Sequence, residues 1–512
     1  MENKKEKPIK RVAIFGATGY VGLILVNRLI HTQYCLKLFV RNKRRLGHLK
    51  QYDNVHNCDI PLKNDNIEKI SQELKDCQVV IYLIHSMSQT SQEFSKLDET
   101  LASIVSKSAN KADVKQIIYL GGLGVTDDSE YSLSNHLSSR HNVGNTLRRY
   151  HPNITEIRAG IIIGAGSASY EIIKALGNKM IFLPKLNYST GVCQPIDIDD
   201  AVYYIAHSIL NEDYYYQIVE IGMDEILTYD DMILEYAKII LNKKIFYIKI
   251  PFLEKIVNKN TVAKIIAFYS AIPYSLSKPL VDGLNSKAII SQYPVTLIDK
   301  DPINYLGYKD ALFKANSSEK SCNVESFWSI PVELQVLSKE KEKFLYIDAN
   351  EERANLLFEH RMRTIEEKDA NAIFNECLKI GGSYGYWSPR WMWNLRALLD
   401  KVIGGTGLDS GRQTNQNQIR VGERIDFWIV SDFLNEKDIK ILTLKARLKS
   451  PGNSWLQFAV IKDKDNQWKF LLRAYFEPDG IKGYLYWYSL WGIHKYIFTA
   501  MIDNIIFKAT KN

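Results

Sequence analysis

Residues 16–22 read Gly-Ala-Thr-Gly-Tyr-Val-Gly, directly after the apolar run Arg11–Phe15 and at the head of an apolar helical pattern, Tyr20–Ile30. That is strand, glycine turn and helix, the opening of an α/β unit. Gly16 permits the tight turn, Gly19 lets the backbone approach a pyrophosphate, and Gly22 lets helix and strand lie close. The helix start then offers free N–H groups and a positive dipole end to phosphates. The turn residues Thr18, Tyr20 and Val21 join the three glycines as the expected cofactor-binding set.

Outward from this turn, residues 11–160 alternate short apolar strands with helical patterns. Arg11–Phe15, Leu36–Val40, Val55–Cys58, Val79–Ile84, Ile117–Leu120 and Ile154–Arg158 read as strands, mostly as near-continuous apolar runs. Such runs suit a parallel sheet covered on both faces. The expected fold is α/β: a doubly wound parallel Rossmann sheet with a small substrate lobe after Gly164. In the lobe, Thr228 starts a helix to Leu241. Asn316–Lys343 is polar and weakly patterned and reads as a linker. The style changes after Leu356. Leu442, Leu444, Ala446 and Leu448 alternate with Thr443, Lys445, Arg447 and Lys449, and Trp468–Phe476 alternates likewise. One apolar and one wetter face predict a curved antiparallel sheet. The chain closes on an aromatic stretch, Tyr484–Phe507, read as a helix. The expected domains are 1–315, a linker at 316–355, and 356–512.

The 512 residues are too many for one core. A charge of +8 without a long Lys/Arg tract and interleaved aromatics argues against nucleic acid as a partner. The six cysteines form no C-x-x-C pair, so they read as free thiols in a cytoplasmic protein, and no metal site is assigned.

The second strand runs into Arg41. A basic residue here suits an adenosine 2′-phosphate, and Arg44 and Arg45 add charge, so NADP(H) is the expected cofactor. Asp59, after the third strand, reads either as an acceptor for the adenine amine or as a turn cap. His85 and Ser86 follow the fourth strand, where the loop of such a fold faces ribose and nicotinamide; a strand-end cap is the alternative for His85.

The chain resembles the atypical short-chain dehydrogenases, in the NmrA-like branch that also holds the NADPH-binding accessory subunit of complex I. Residues 16–22, Tyr82-Leu-Ile-His-Ser-Met87 and Arg158-Ala-Gly-Ile-Ile-Ile-Gly-Ala-Gly-Ser-Ala-Ser169 carry the resemblance. The last two are similar to a YbjT-like bacterial family with a fused C-terminal domain. That half is matched by Gly381-Gly382, Tyr384-Gly385-Tyr386, Trp391, Trp393, Arg396, Asp426-Phe-Trp428, Lys449-Ser-Pro-Gly452 and His494. The C-terminal domain in turn resembles helix-grip folds of the START or polyketide-cyclase type. The resemblance implies an α+β helix-grip-like domain whose long helix closes a sheet over a small hydrophobic molecule.

Carbonyl-reducing members of that dehydrogenase class use Tyr-x-x-x-Lys and a Ser at the end of the fifth strand. Here the strand ends Leu120-Gly121-Gly122-Leu123 and the helix carries His136-Leu-Ser-Ser-Arg140. His136 is the candidate proton donor, since an imidazole titrates near neutral pH, with a cofactor contact or a place on the helix surface as the alternative. Arg140 is the candidate grip on ribose hydroxyls. Trp487 and Trp491, four residues apart, are expected on one helical face with Tyr484. That face reads as a cavity wall or packed core, or as a peripheral membrane contact at the inner face of the membrane. The expected function is an NADP(H)-binding protein, an oxidoreductase or isomerase on a hydrophobic substrate; the alternative is a non-catalytic NADP(H) sensor or lipid-binding protein.

Overall fold

The computed structural model describes residues 10–40, 46, 49, 52–85, 91–124, 134–185, 190–248, 258–269, 274–291, 306–321, 323–326, 328, 356–382, 384–402, 419–447, 450–463 and 466–511. The chain divides into two compact units. The first is Met1–Ser318 with Glu325–Val332; the second is Glu319–Val324 with Glu333–Asn512.

The first unit is built on a seven-stranded sheet. Its strands are β1 (Lys10–Phe15), β2 (Tyr34–Phe39), β3 (Val55–Cys58), β4 (Val79–Tyr82), β5 (Gln116–Gly122), β6 (Ile154–Ala159) and β7 (Ile218–Ile221), in the order β7-β6-β5-β4-β1-β2-β3. Every pairing in it is parallel. The strands are apolar on both sides because helices cover both faces. Val12, Ile14, Ile81 and Ile118 point into one core, and Ala13, Phe15, Val80 and Tyr82 into the other. The crossover helices are α1 (Tyr20–Leu29), α2 (Ile67–Leu74), α3 (Ser91–Lys111) and α4 (Asn135–Tyr150). The order reverses between β1 and β4, so the crevice at their C-terminal ends is where a doubly wound sheet takes a ligand.

Beyond the sheet, α5 (Ala168–Lys179) and α7 (Tyr229–Leu241) build the lobe, while α6 (Ile198–His207) packs beside α1 on the sheet core. Local chemistry sets their starts. Ser167 caps α5 by accepting from Tyr170 N, and Thr228 with Asp231 forms a full capping box on α7.

The second unit holds a six-stranded antiparallel sheet of β8 (Leu357–Ile365), β9 (Arg424–Ile425), β10 (Trp428–Asn435), β11 (Ile439–Ala446), β12 (Gly452–Lys462) and β13 (Trp468–Pro478). Its order is β8-β13-β12-β11-β10-β9. With it go α8 (Ala370–Cys377), α9 (Arg390–Val402) and α10 (Gly480–Thr510). The expected wetter face of this sheet differs from the one observed. Leu442, Leu444, Phe458 and Phe470 enter the main core, yet Ile441, Ala459 and Leu471 on the other face are also buried. Thr443 and Gln457 there are buried too, and satisfied by bonding to each other. At Thr443 and Gln457 polar identity therefore marks internal hydrogen bonding, while Lys445, Lys469 and Arg473 are half-buried.

The long helix α10 packs on the main core through Trp487, Ile497, Phe498, Met501, Ile502 and Ile505. Its close approach at Gly483 is obligatory, since a Cβ there would stand 2.5 Å from the Pro451 carbonyl oxygen. The single aromatic face expected from Tyr484, Trp487 and Trp491 is split. Trp487 is 6% exposed and Trp491 is 56% exposed. Four residues on a 3.6-residue turn leave an offset of about 40°, which at the edge of a narrow buried stripe separates core from solvent. Gly492 has open space around its Cα. Gly492→Ala should therefore raise the stability of this unit by about 0.5–1 kcal/mol, the helix-propensity difference, measurable by urea unfolding.

Candidate functional site

The glycine turn adopts the geometry that its residues demand. Gly16 has φ +88°, and a Cβ there would lie 2.8 Å from the Leu83 backbone carbonyl at the end of β4. A Cβ on Gly22 would lie 2.2 Å from the Gly16 carbonyl oxygen. The turn is closed by Gly19 N–H donating to the Gly16 carbonyl at 3.0 Å. Gly19 then heads α1 in extended conformation with no side-chain cap. Gly19 thus brings no side-chain oxygen to the first N–H groups of α1, and a helix start of this kind suits a phosphate. Thr18, Tyr20 and Val21 are half-buried around this turn.

Tyr20 also ties the turn to the lobe. Its hydroxyl donates to the Ala165 carbonyl at 3.2 Å, in the Gly164-Ala-Gly166 turn. Burial, reinforced by Asp197 and Asp199, pushes its pKa well up, so it stays a neutral donor. A short segment lies against both turns. The Ser326 hydroxyl reaches the Gly19 carbonyl at 3.5 Å, and the Trp328 amide donates to the Gly166 carbonyl at 2.9 Å. Glu325 anchors the segment through Arg28 at 2.8 Å. This segment falls in the region read from sequence as a linker. Its polar composition gave no sign of the contact, because its partners are backbone carbonyls far away in sequence.

At the second strand, Val40 N–H donates to the Cys58 carbonyl at 2.8 Å, so Asp59 follows directly beside the end of β2 and is exposed. Arg41, Arg44 and Ser86 lie outside the described residues.

His85, His136 and Arg140 come together beside the ends of β4 and β5. The His85 and His136 rings are 4.8 Å apart between centroids. His85 Nδ1 stands 3.3 Å from Oδ2 of buried Asp98, which fixes Nδ1 as the donor. Burial lowers the His85 pKa against the opposing pull of Asp98. Burial, then His85 and Arg140, hold His136 well below the ordinary imidazole value. Both rings are neutral at neutral pH. With its pKa lowered, His136 rests as a neutral imidazole that can hydrogen-bond.

Arg140 is partly committed. Its Nη2 donates to the Leu120 carbonyl at 2.6 Å, while its buried Nε has no partner among the described residues. Gly122 is what admits it, since a Cβ there would meet Arg140 Nε at 3.2 Å and Leu137 Cδ2 at 2.9 Å. Among the described residues no cluster suited to a metal ion is present.

Two family descriptions match the chain: NAD(P)H-binding over residues 16–164, and Protein of unknown function (DUF2867) over residues 353–501. UDP-glucuronic acid 4-epimerase from Bacillus cereus, in complex with NAD, is similar over 60% of this chain and 96% of its own, at 14% identity and a TM-score of 0.43. The Bordetella bronchiseptica enzyme WbmG, in complex with NAD, is similar over 63% and 97%, at 12% identity and a TM-score of 0.46. A nucleoside-diphosphate-sugar epimerase from Staphylococcus aureus is similar over 59% and 99%, at 14% identity and a TM-score of 0.44. No curated protein matches the chain in sequence. Residues 16–164 are thus similar to the NAD(P)H-binding family, and residues 353–501 to the DUF2867 family.

Proposed function

We propose that the first unit binds NADP(H) in preference to NAD(H). The pyrophosphate lies over Gly16–Gly22 and the nicotinamide end lies beside His85, His136 and Arg140. The observation that supports this most is the Gly16–Gly22 contact, where any side chain would strike backbone and the uncapped start of α1 is left for an anion. When bound, such a cofactor supplies or accepts a hydride. Arg41 and Arg44 take the 2′-phosphate, and Asp59 the adenine amine. The unpartnered Nε of Arg140 suits a ribose hydroxyl, and neutral His85 and His136, with Ser86, complete the polar wall. The substrate, by the same reading, is a small hydrophobic molecule.

The neutral His136 and the Gly121-Gly122 strand end favour a second reading, an NADP(H) sensor that transfers no hydride. Both readings exclude ordinary reduction of small ketones and aldehydes. NADPH oxidation on such a panel at roughly one turnover per second or faster, abolished by His136→Phe, would contradict them.

The cofactor preference is tested by calorimetric titration with NADPH and NADH. Arg41→Ala should weaken NADPH binding about tenfold or more, the effect of one lost charge-assisted phosphate contact, and leave NADH binding nearly unchanged. Equal affinities for the two cofactors in the parent would overturn the assignment.

A further inference from the structure

Helix α10 buries one side and exposes another that is also apolar. Ile481, Leu485, Tyr488 and Trp491 follow one another at steps of three and four residues, with Tyr484 and Tyr496 beside them, and all six are between 37% and 80% exposed. Over these residues the stripe runs about 22 Å, some four turns. In the same unit α9 exposes Trp391, Leu395 and Leu398 at the same steps. The helices meet where the Arg396 guanidinium lies over the Tyr486 ring, 5.6 Å from its centroid. Solvated helix faces do not ordinarily carry such a row, so the stripe asks for a partner.

Its chemistry separates the candidates. From Gly480 to Ile502 the helix holds no Asp or Glu, and both of its lysines, Lys482 and Lys495, are exposed. Lys495 and Gly492 fall inside the stripe. A second copy packed on this face would bury the ammonium of Lys495 and meet a gap at Gly492, both unfavourable in a helix–helix seam. A lipid headgroup layer takes both without cost. Lysine extends to the phosphates, Tyr and Trp rings settle at the headgroup level, and Leu and Ile reach the acyl boundary. No helix among the described residues is long and apolar enough to cross a membrane, so the contact would lie in the plane of the surface.

We propose that the exposed stripe of α10 docks the protein on an anionic phospholipid surface. The proposal stands on the second unit alone and does not depend on which dinucleotide the first unit takes.

Flotation of the full chain tests it, with vesicles of phosphatidylcholine alone and of phosphatidylcholine mixed with phosphatidylglycerol. The protein should float with the mixed vesicles about tenfold more strongly than with the neutral ones. Two double variants keep the buried side intact: Tyr488→Ser with Trp491→Ser, and Lys482→Glu with Lys495→Glu. Each should lower binding to mixed vesicles about tenfold or more while the thermal unfolding transition stays in place. No flotation of the parent, equal flotation on both vesicle types, or variants that float like the parent would overturn the proposal. So would a dimer in solution that both variants dissociate, which would assign the stripe to a second copy.

Discussion

Gly22→Ala abolishes measurable dinucleotide binding, and this is the largest single-site effect expected in the chain. The added Cβ would sit 2.2 Å from the Gly16 carbonyl oxygen and 3.0 Å from the Ala17 Cα, all backbone atoms with no rotamer to yield. Either α1 moves away from the turn or the turn opens. Both displace the first N–H groups of α1 from the phosphate position, and an ångström of displacement is enough to lose charge-assisted bonds. The expected loss is about a hundredfold or more in affinity, roughly 2.7 kcal/mol, together with about 1–3 kcal/mol of folding stability from overpacking. Calorimetry with NADPH measures the first and urea unfolding the second. A variant that binds like the parent would show that the dinucleotide does not use this turn.

The second large effect is acid destabilisation of the second unit through His494. This imidazole lies under Trp487 and Phe498, with ring centroids 5.2 Å away in each case. Burial, then the charge of Arg396, pushes its pKa down to about 4. A carboxylate oxygen of Glu359 stands 4.0 Å from its Nδ1, which would favour the charged ring. Arg361 already engages that carboxylate, so burial prevails. The ring is neutral when folded and gains its proton near pH 6.5 when unfolded. Stability from His494 is therefore full above about pH 6.5 and falls as the pH drops toward 4, where both states are protonated. A difference of about 2.5 units corresponds to about 3 kcal/mol over that window. Buried Asp426 acts in the opposite sense, because its carboxyl takes a proton more readily in the folded state. The informative quantity is hence the difference between parent and His494→Gln, not the absolute slope. All tryptophans except Trp328 lie in the second unit, so indole fluorescence follows its unfolding. The parent should lose stability across the window relative to the variant; parallel curves would mean that His494 is not held neutral.

Much of the architecture was legible because its determinants are local or periodic. The run Val12–Phe15 is apolar at every position, which only a strand covered on both faces tolerates. Thr228 with Asp231, and Ser167 before Tyr170, announce helix starts through bonds that span three residues. The glycine turn was legible for the same reason, since its constraints act within seven residues.

What escaped the sequence depends on distant partners. Ser326 and Trp328 reach Gly19 and Gly166 across more than 150 residues. Nothing in their neighbourhood marks them. Thr443 read as outward-facing, yet it is buried and accepts a hydrogen bond from Gln457. The lowered pKa of His136 could not be read from its reference value near neutrality. Its neutrality comes from enclosure and from His85 and Arg140, and one of those two lies 51 residues away along the chain. The pair Trp487 and Trp491 shows the same limit at shorter range. Helical spacing gives their angular relation but not the edge of the stripe that the sheet covers.

The central claim is that residues 16–22 hold the pyrophosphate of a nicotinamide dinucleotide. Its most direct measurement is isothermal titration of NADPH into the full chain, run beside Gly22→Ala. The parent should bind close to one equivalent per chain, and the variant, still folded by its thermal transition, should show no heat of binding. A parent that takes up neither NADPH nor NADH, or a folded Gly22→Ala protein that binds with parental affinity, would contradict the account.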